Sequence, residues 1–342
     1  MGQVCVALQK RFANTAPPLR FLKKRSFYGD VDMFLKRLFA GAGYVLVLAV
    51  FYFLKILLPL IDGVPRFVGD FCFDAAIYAL TLIGTFEMLR AMQDKICKAE
   101  KALVWAFAII TIPLCAASEV FLKDFGGGII GVAFMFMAFI MALFVAFIAN
   151  HENMTLESLG LTVLSAIYPT LLLCVMVLIN HVDIDVASVD KFDLDSRLAI
   201  LLVFYISPWA DSIAYVFGLC FRKYFPKKMA PKLSPNKTVI GGVGSFVGGA
   251  VGAASLYFLY NAFAGSFAQM YIWLPVYMVI GLIVTVAVMV GDLVESCIKR
   301  KAGIKDMGNL IPGHGGILDR IDSALFAAVA IYICFFILSI IV

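Results

Sequence analysis

A chain of 342 residues that is 63% hydrophobic and only 15% charged falls well short of the roughly 25% charged residues of soluble domains, which excludes water as its main solvent. Its net charge of +5 is modest, and no nucleic acid is expected as a partner. Eight cysteines without a CxxC pair and only three histidines argue against zinc or haem, so any metal here is expected to be held by oxygen ligands.

Residues 1–37 carry Lys10, Arg11, Arg20, Lys23, Lys24, Arg25, Lys36 and Arg37 and read as a basic cytoplasmic tail lying near anionic headgroups. Residues 38–342 read as one membrane-embedded domain. A spanning helix needs about 20 mostly apolar residues, and nine segments qualify: 38–60, 68–91, 102–122, 126–149, 159–180, 198–221, 239–263, 270–292 and 321–342. The fold class expected is therefore all-α, a polytopic integral membrane protein of about nine transmembrane helices. Cytoplasmic loops carry the excess of Lys and Arg. With the N-terminus inside, only Arg66, Lys123, Lys191 and Arg197 fall on the opposite face. The segment 181–195, with Asp183, Asp185, Asp190, Asp193 and Asp195, then reads as a solvated exterior loop, with a calcium site as the alternative.

Two cytoplasmic loops stand out, 222–242 and 292–322. The second is polar and glycine-rich where a bland connection would have sufficed. Asp319 and Asp322 are three residues apart at the start of the last helix, so both fall on one face, and Asp292 ends the preceding helix at the same expected depth. Three carboxylates without His or Cys form an oxygen set that suits Mg2+, with room for water and substrate phosphates. The plainer reading is that these acids pair with Lys299, Arg300 and Arg320. Such pairing alone would not explain so many ionisable groups kept at a costly membrane boundary. Pro312, Gly313, His314, Gly315 and Gly316 precede the last helix, whose free N–H groups are expected to cradle a phosphate. In the first loop, Ser234, Lys237 and Thr238 could contact phosphate oxygens. Asp211 is an intramembrane acid in the sixth span and a functional candidate on that ground. Glu87 in the second span has a structural explanation in pairing with Arg90, three residues on.

The run Ser296, Ile298, Lys299, Arg300, Lys305, Asp306, Gly308, Ile311, Pro312, His314, Gly315, Gly316, Asp319, Arg320 and Asp322 resembles the complete signature of the phosphatidate cytidylyltransferases, S-x-x-K-R-x4-K-D-x-G-x2-[LIF]-P-x-H-G-G-x-x-D-R-x-D. Asp211 to Gly218 (DSIAYVFG) and Ser234 to Thr238 (SPNKT) resemble two further motifs of that family, in the expected order. One position departs from the pattern: Ile240 stands where the family usually has an acid. The resemblance implies Mg2+-dependent transfer of the cytidylyl group from CTP to phosphatidic acid, giving CDP-diacylglycerol and pyrophosphate for phospholipid biosynthesis. It implies Asp292, Asp319 and Asp322 as metal ligands, with a second cation site left open. Lys237, Lys299, Arg300, Lys305 and Arg320 become phosphate binders, and Asp211, Ser234, Thr238, Ser296, Gly315 and Gly316 further substrate contacts. His314 either donates a hydrogen bond or shapes the turn. CTP, phosphatidic acid and the bilayer are the expected partners, with a homodimer open. The active-site cavity is expected to face the cytoplasm and open sideways to lipid. Rival readings are a CTP-dependent enzyme acting on a polyprenol or ether lipid, a transporter, and an inactive scaffold.

Overall fold

The computed structural model describes residues 43, 45–122, 127–184, 194–221, 223–231, 233–264, 270–310 and 315–341. The basic tail 1–37, most of the acidic exterior loop, Pro312, Gly313 and His314 lie outside the described residues.

Long apolar runs in hydrocarbon must satisfy their own backbone N–H and C=O groups, and a helix does this within one segment. Among the described residues these runs form α1 (Val45–Leu60), α2 (Arg66–Ala91), α3 (Lys98–Phe121), α4 (Gly127–Ala149), α5 (Leu156–Asn180), α6 (Ser196–Phe221), α7 (Val239–Ala264), α8 (Met270–Ala302) and α9 (Leu318–Ile341). Eight of them, α2 to α9, are long and apolar enough to cross a membrane. The chain is an all-α polytopic integral membrane protein.

Two short antiparallel ribbons sit in the connections. β1 (Asp183–Ile184) pairs with β2 (Leu194–Asp195) before α6. β3 (Lys228–Ala230) pairs with β4 (Ser234–Thr238), with Lys228 opposite Thr238 and Ala230 opposite Ser234. The basic segment 222–242, read above as a loop, is thus partly a hairpin that delivers Lys237 and Thr238 to the first turn of α7. Thr238 Oγ1 accepts the backbone N–H of Gly241 at 3.1 Å, an N-cap that fixes where α7 begins.

A larger difference concerns α8. The sequence reading ends that span at Asp292, whereas the helix runs 33 residues, to Ala302, or roughly 50 Å at 1.5 Å per residue. Nothing between Asp292 and Ala302 breaks a helix, and Lys299, Arg300 and Lys301 in the last turn complement its dipole. Gly303, at φ +76°, then supplies the left-handed residue on which helices commonly stop. Asp292, Glu295, Ser296 and Lys299 are therefore helical, and their spacing gathers Asp292, Glu295 and Lys299 on one face.

Close packing sets the frame. A Cβ on Gly249 of α7 would lie 2.7 Å from the carbonyl oxygen of Gly281 in α8, and one on Gly248 would lie 2.5 Å from that of Trp209 in α6. Small residues let backbones approach where lipid provides no hydrophobic driving force between helices. In α5, Pro169 removes an N–H and forces a π-type segment, Ala166–Leu171, with Tyr168 at φ −101°, ψ 73°. That kink packs against Gly84 of α2, where an added Cβ would be 3.2 Å from Pro169 and 3.0 Å from Leu318 of α9.

The N-terminal end of α2 carries a buried polar network. Lys55 of α1 pairs with Asp70 and donates to the Asn180 carbonyl at 2.9 Å. Asn180 Nδ2 donates to Asp74 Oδ1 at 2.8 Å, and His181 Nε2 lies 2.8 Å from Asp74 Oδ2. Burial disfavours the His181 cation, but the hydrogen bond and charge of Asp74, helped by Asp70 and opposed by Lys55, lift its pKa above 6.5. A raised folded value means the contact stabilises fully below the unfolded pKa and loses its effect as pH rises through the folded one. The thermal midpoint in detergent is therefore expected to fall as pH rises above 6.5, and His181→Gln to flatten that slope. An unchanged slope in the variant would remove His181 from the pH response.

Candidate active site

The C-terminal half of α6, the start of α7, the last third of α8 and the start of α9 enclose a cavity of about 1030 Å³. That is at the upper end of ligand-pocket volumes and has room for a nucleoside triphosphate. Asp211 reaches it from α6, and Lys237 and Thr238 from the β4–α7 junction. Asp292, Glu295 and Lys299 line it from α8, and Asp319, Arg320 and Asp322 from α9.

Lys237 pairs with Asp292, and both side chains are about one-third exposed to the cavity. Burial pushes the Lys237 ammonium below its ordinary pKa of 10.5, while Asp211 and Asp322 pull in the opposite direction. A lysine set among three acids offers a fixed positive point against phosphate oxygens, and it screens carboxylates that would otherwise repel.

Asp319 is a junction. Its Oδ1 accepts from Lys299 Nζ at 2.8 Å, and its Oδ2 accepts the backbone N–H groups of Met307 at 2.9 Å and Gly316 at 2.7 Å. Gly315 beside it has φ +90°, a conformation that side-chain-bearing residues rarely adopt. Lys299 also donates to Glu295 Oε2 at 2.7 Å. Asp322 is 8% exposed and Glu295 only 1%; the two carboxylates sit side by side, and Glu295 Oε1 has no donor among the described residues.

Several expectations change on this geometry. Three N–H groups at the start of α9 are already engaged rather than open to a phosphate: Gly316 donates to Asp319, while Ile317 and Leu318 donate to Glu87 at 3.0 and 2.9 Å. Glu87 engages those amides rather than simply pairing with Arg90. Lys299 is held by two carboxylates. Ser234, Ser296, Arg300, Lys305, Gly315 and Gly316 are not on the cavity wall, and Arg300 and Lys305 are exposed. Sequence reasoning missed Glu295, although its position three after Asp292 and four before Lys299 on one helix is a readable signal.

Among the described residues no three His, Cys, Asp or Glu side chains form a ready-made cluster for a metal ion. The donor chemistry nevertheless fits a hard cation. The acids supply oxygen only, and Mg2+ typically takes one or two carboxylates and fills its shell with water and substrate phosphates. With both Asp319 oxygens engaged, the fit runs through Asp292 and Asp322.

A bundle of membrane-length helices with a large charged cavity at one end, lined by six carboxylates together with Lys237, Lys299 and Arg320, is the architecture of a membrane-embedded enzyme for phosphorylated substrates. The sequence profile of the Cytidylyltransferase family matches residues 44–338, and the chain belongs to that family. It is 32% identical over 269 residues to a phosphatidate cytidylyltransferase of Bacillus subtilis (strain 168), covering 78% of this chain and 89% of that protein. It is also similar to proteins of the same name from Haemophilus influenzae, 42% identical over 141 residues, and Synechocystis, 37% over 140 residues. Those two alignments cover 41% and 40% of this chain and 46% and 42% of the relatives' lengths.

Proposed function

We propose that this protein joins CTP to phosphatidic acid, releasing pyrophosphate and leaving CDP-diacylglycerol in the membrane. The observation that carries the reading is the one cavity lined by Asp292, Asp322, Lys237 and Arg320, in a chain of the Cytidylyltransferase family. A phosphate oxygen of phosphatidic acid forms a bond to the α-phosphorus of CTP, and the bond from that phosphorus to the bridging oxygen of the β-phosphate breaks. The attacking phosphate is already anionic, so no general base is required. Such transfers depend mainly on positioning and neutralisation of charge. Lys237 and Arg320 offer that neutralisation to phosphate oxygens, while Glu295 and Asp319 hold Lys299 in place.

Asp292 and Asp322 would hold Mg2+, which when bound supplies neutralisation of the triphosphate charge and orientation of the reacting phosphate. The cavity faces the cytoplasm in this reading, because the Lys and Arg excess lies at its end of the bundle. The acyl chains stay in hydrocarbon while CTP enters from water.

The test is product analysis. Purified protein in lipid with labelled CTP, phosphatidic acid and Mg2+ is expected to give labelled CDP-diacylglycerol and one pyrophosphate per product. A chain that leaves phosphatidic acid untouched but labels a polyprenyl phosphate or an ether-lipid substrate would overturn the substrate assignment. Labelling of none of them would overturn the enzyme assignment.

A further inference from the structure

Glu87 lies near the C-terminal end of α2, 230 and 231 residues in sequence from the two amides it binds, and outside every motif noted above. It is 3% exposed. An acid so deeply buried in a membrane helix is costly unless something fixed compensates it. Here the compensation is the start of α9: Glu87 Oε1 accepts the N–H of Ile317 at 3.0 Å, and Oε2 that of Leu318 at 2.9 Å. These are among the groups at a helix start that lack an intrahelical partner, and the positive end of the helix dipole favours a carboxylate beside them.

The same carboxylate shapes the segment joining α8 to α9 at two further points. A Cβ on Gly308 would come 2.2 Å from Glu87 Oε1, and one on Gly316 would come 2.4 Å from Oε2. Both backbones press directly against Glu87, and only glycine allows this. Asp319 takes the neighbouring amides of Met307 and Gly316. Two carboxylates, one from α9 itself and one from α2, thus hold the same two stretches of backbone, 307–308 and 316–318.

We propose that Glu87 is a positioning residue for the transfer reaction: it fixes the start of α9, and through it the orientation in which Asp319 and Asp322 meet the cavity. It also occupies two helix-start amides that would otherwise offer phosphate a competing site. The proposal rests on the reaction assigned above. Glu87 does not line the cavity, so its loss should act on the chemical step more than on CTP binding.

Glu87→Gln keeps the shape but turns an amide N–H2 toward backbone donors. It is expected to lower kcat about 10–100-fold, the range seen when a group supporting a catalytic side chain is changed, with KM for CTP moving less than about threefold. Hydrogen exchange at Ile317 and Leu318 should accelerate while α4 stays protected. Glu87→Asp, which keeps the charge on a shorter arm, should recover part of the lost rate; it also serves as the reading should Glu87→Gln fail to fold. Unchanged kcat in Glu87→Gln would overturn the proposal, as would a loss that vanishes once activity is normalised to folded protein. If the unaltered chain makes no CDP-diacylglycerol, the reaction assignment fails instead. The exchange measurement then still decides whether Glu87 holds α9, and unaccelerated exchange would overturn the positioning role by itself.

Discussion

Asp319→Asn is expected to cut CDP-diacylglycerol formation by about 10²–10³-fold, the scale on which a preorganised electrostatic group acts. The side chain is 4% exposed and accepts from Lys299, Met307 and Gly316. An asparagine keeps the volume but has one oxygen where the carboxylate had two, and its N–H2 must face a backbone N–H or the Lys299 ammonium. Either the segment bearing Met307 and Gly316 then loses one of its two anchors, or Lys299 keeps only Glu295. The bundle itself should survive, because its helices are held by contacts such as Gly249 against Gly281, far from this substitution. Turnover in lipid, read beside the thermal midpoint, checks the point. Full activity in Asp319→Asn would show that this junction does not matter to the reaction.

Lys237→Met is expected to lower kcat/KM for CTP by about 10²-fold or more, again on the scale of one lost electrostatic group. Lys237 is the positive partner of Asp292 and stands within reach of Asp211 and Asp322. Without it, three carboxylates face one another across the cavity, and an incoming triphosphate meets uncompensated negative charge. Raising Mg2+ should restore part of the loss, since a divalent cation can replace some of the missing charge. Arginine should not substitute well, because a planar guanidinium cannot occupy the place of a compact ammonium. Initial rates across CTP and Mg2+ concentrations separate these effects. Wild-type kcat/KM in Lys237→Met would remove the residue from substrate binding.

The sequence made the spans readable because apolar runs of membrane length have few other interpretations. It also drew attention to Asp292, Asp319 and Asp322, since acids at a membrane boundary are expensive. What it could not display was how far α8 continues: a polar helix end and a polar loop have the same composition, and the stop depends on the left-handed Gly303. The amides of α9 looked free because their acceptor, Glu87, comes from α2, and no local pattern links residues so far apart. Glu87 instead had a tempting local partner in Arg90. The hairpin before α7 was hidden in the same way, because three basic residues and a Ser-Pro turn fit a loop equally well. Glu295 was within reach of helical periodicity had α8 been extended past Asp292.

Asp292 and Asp322 are proposed to act together toward a divalent ion and CTP. Equilibrium binding of Mn2+, followed by its electron paramagnetic resonance in the presence of CTP, tests this without relying on turnover. The intact chain is expected to take up the ion, and Asp292→Asn and Asp322→Asn each to bind it at least about tenfold more weakly. Equal Mn2+ affinity in the intact chain and in both variants would contradict the proposed site.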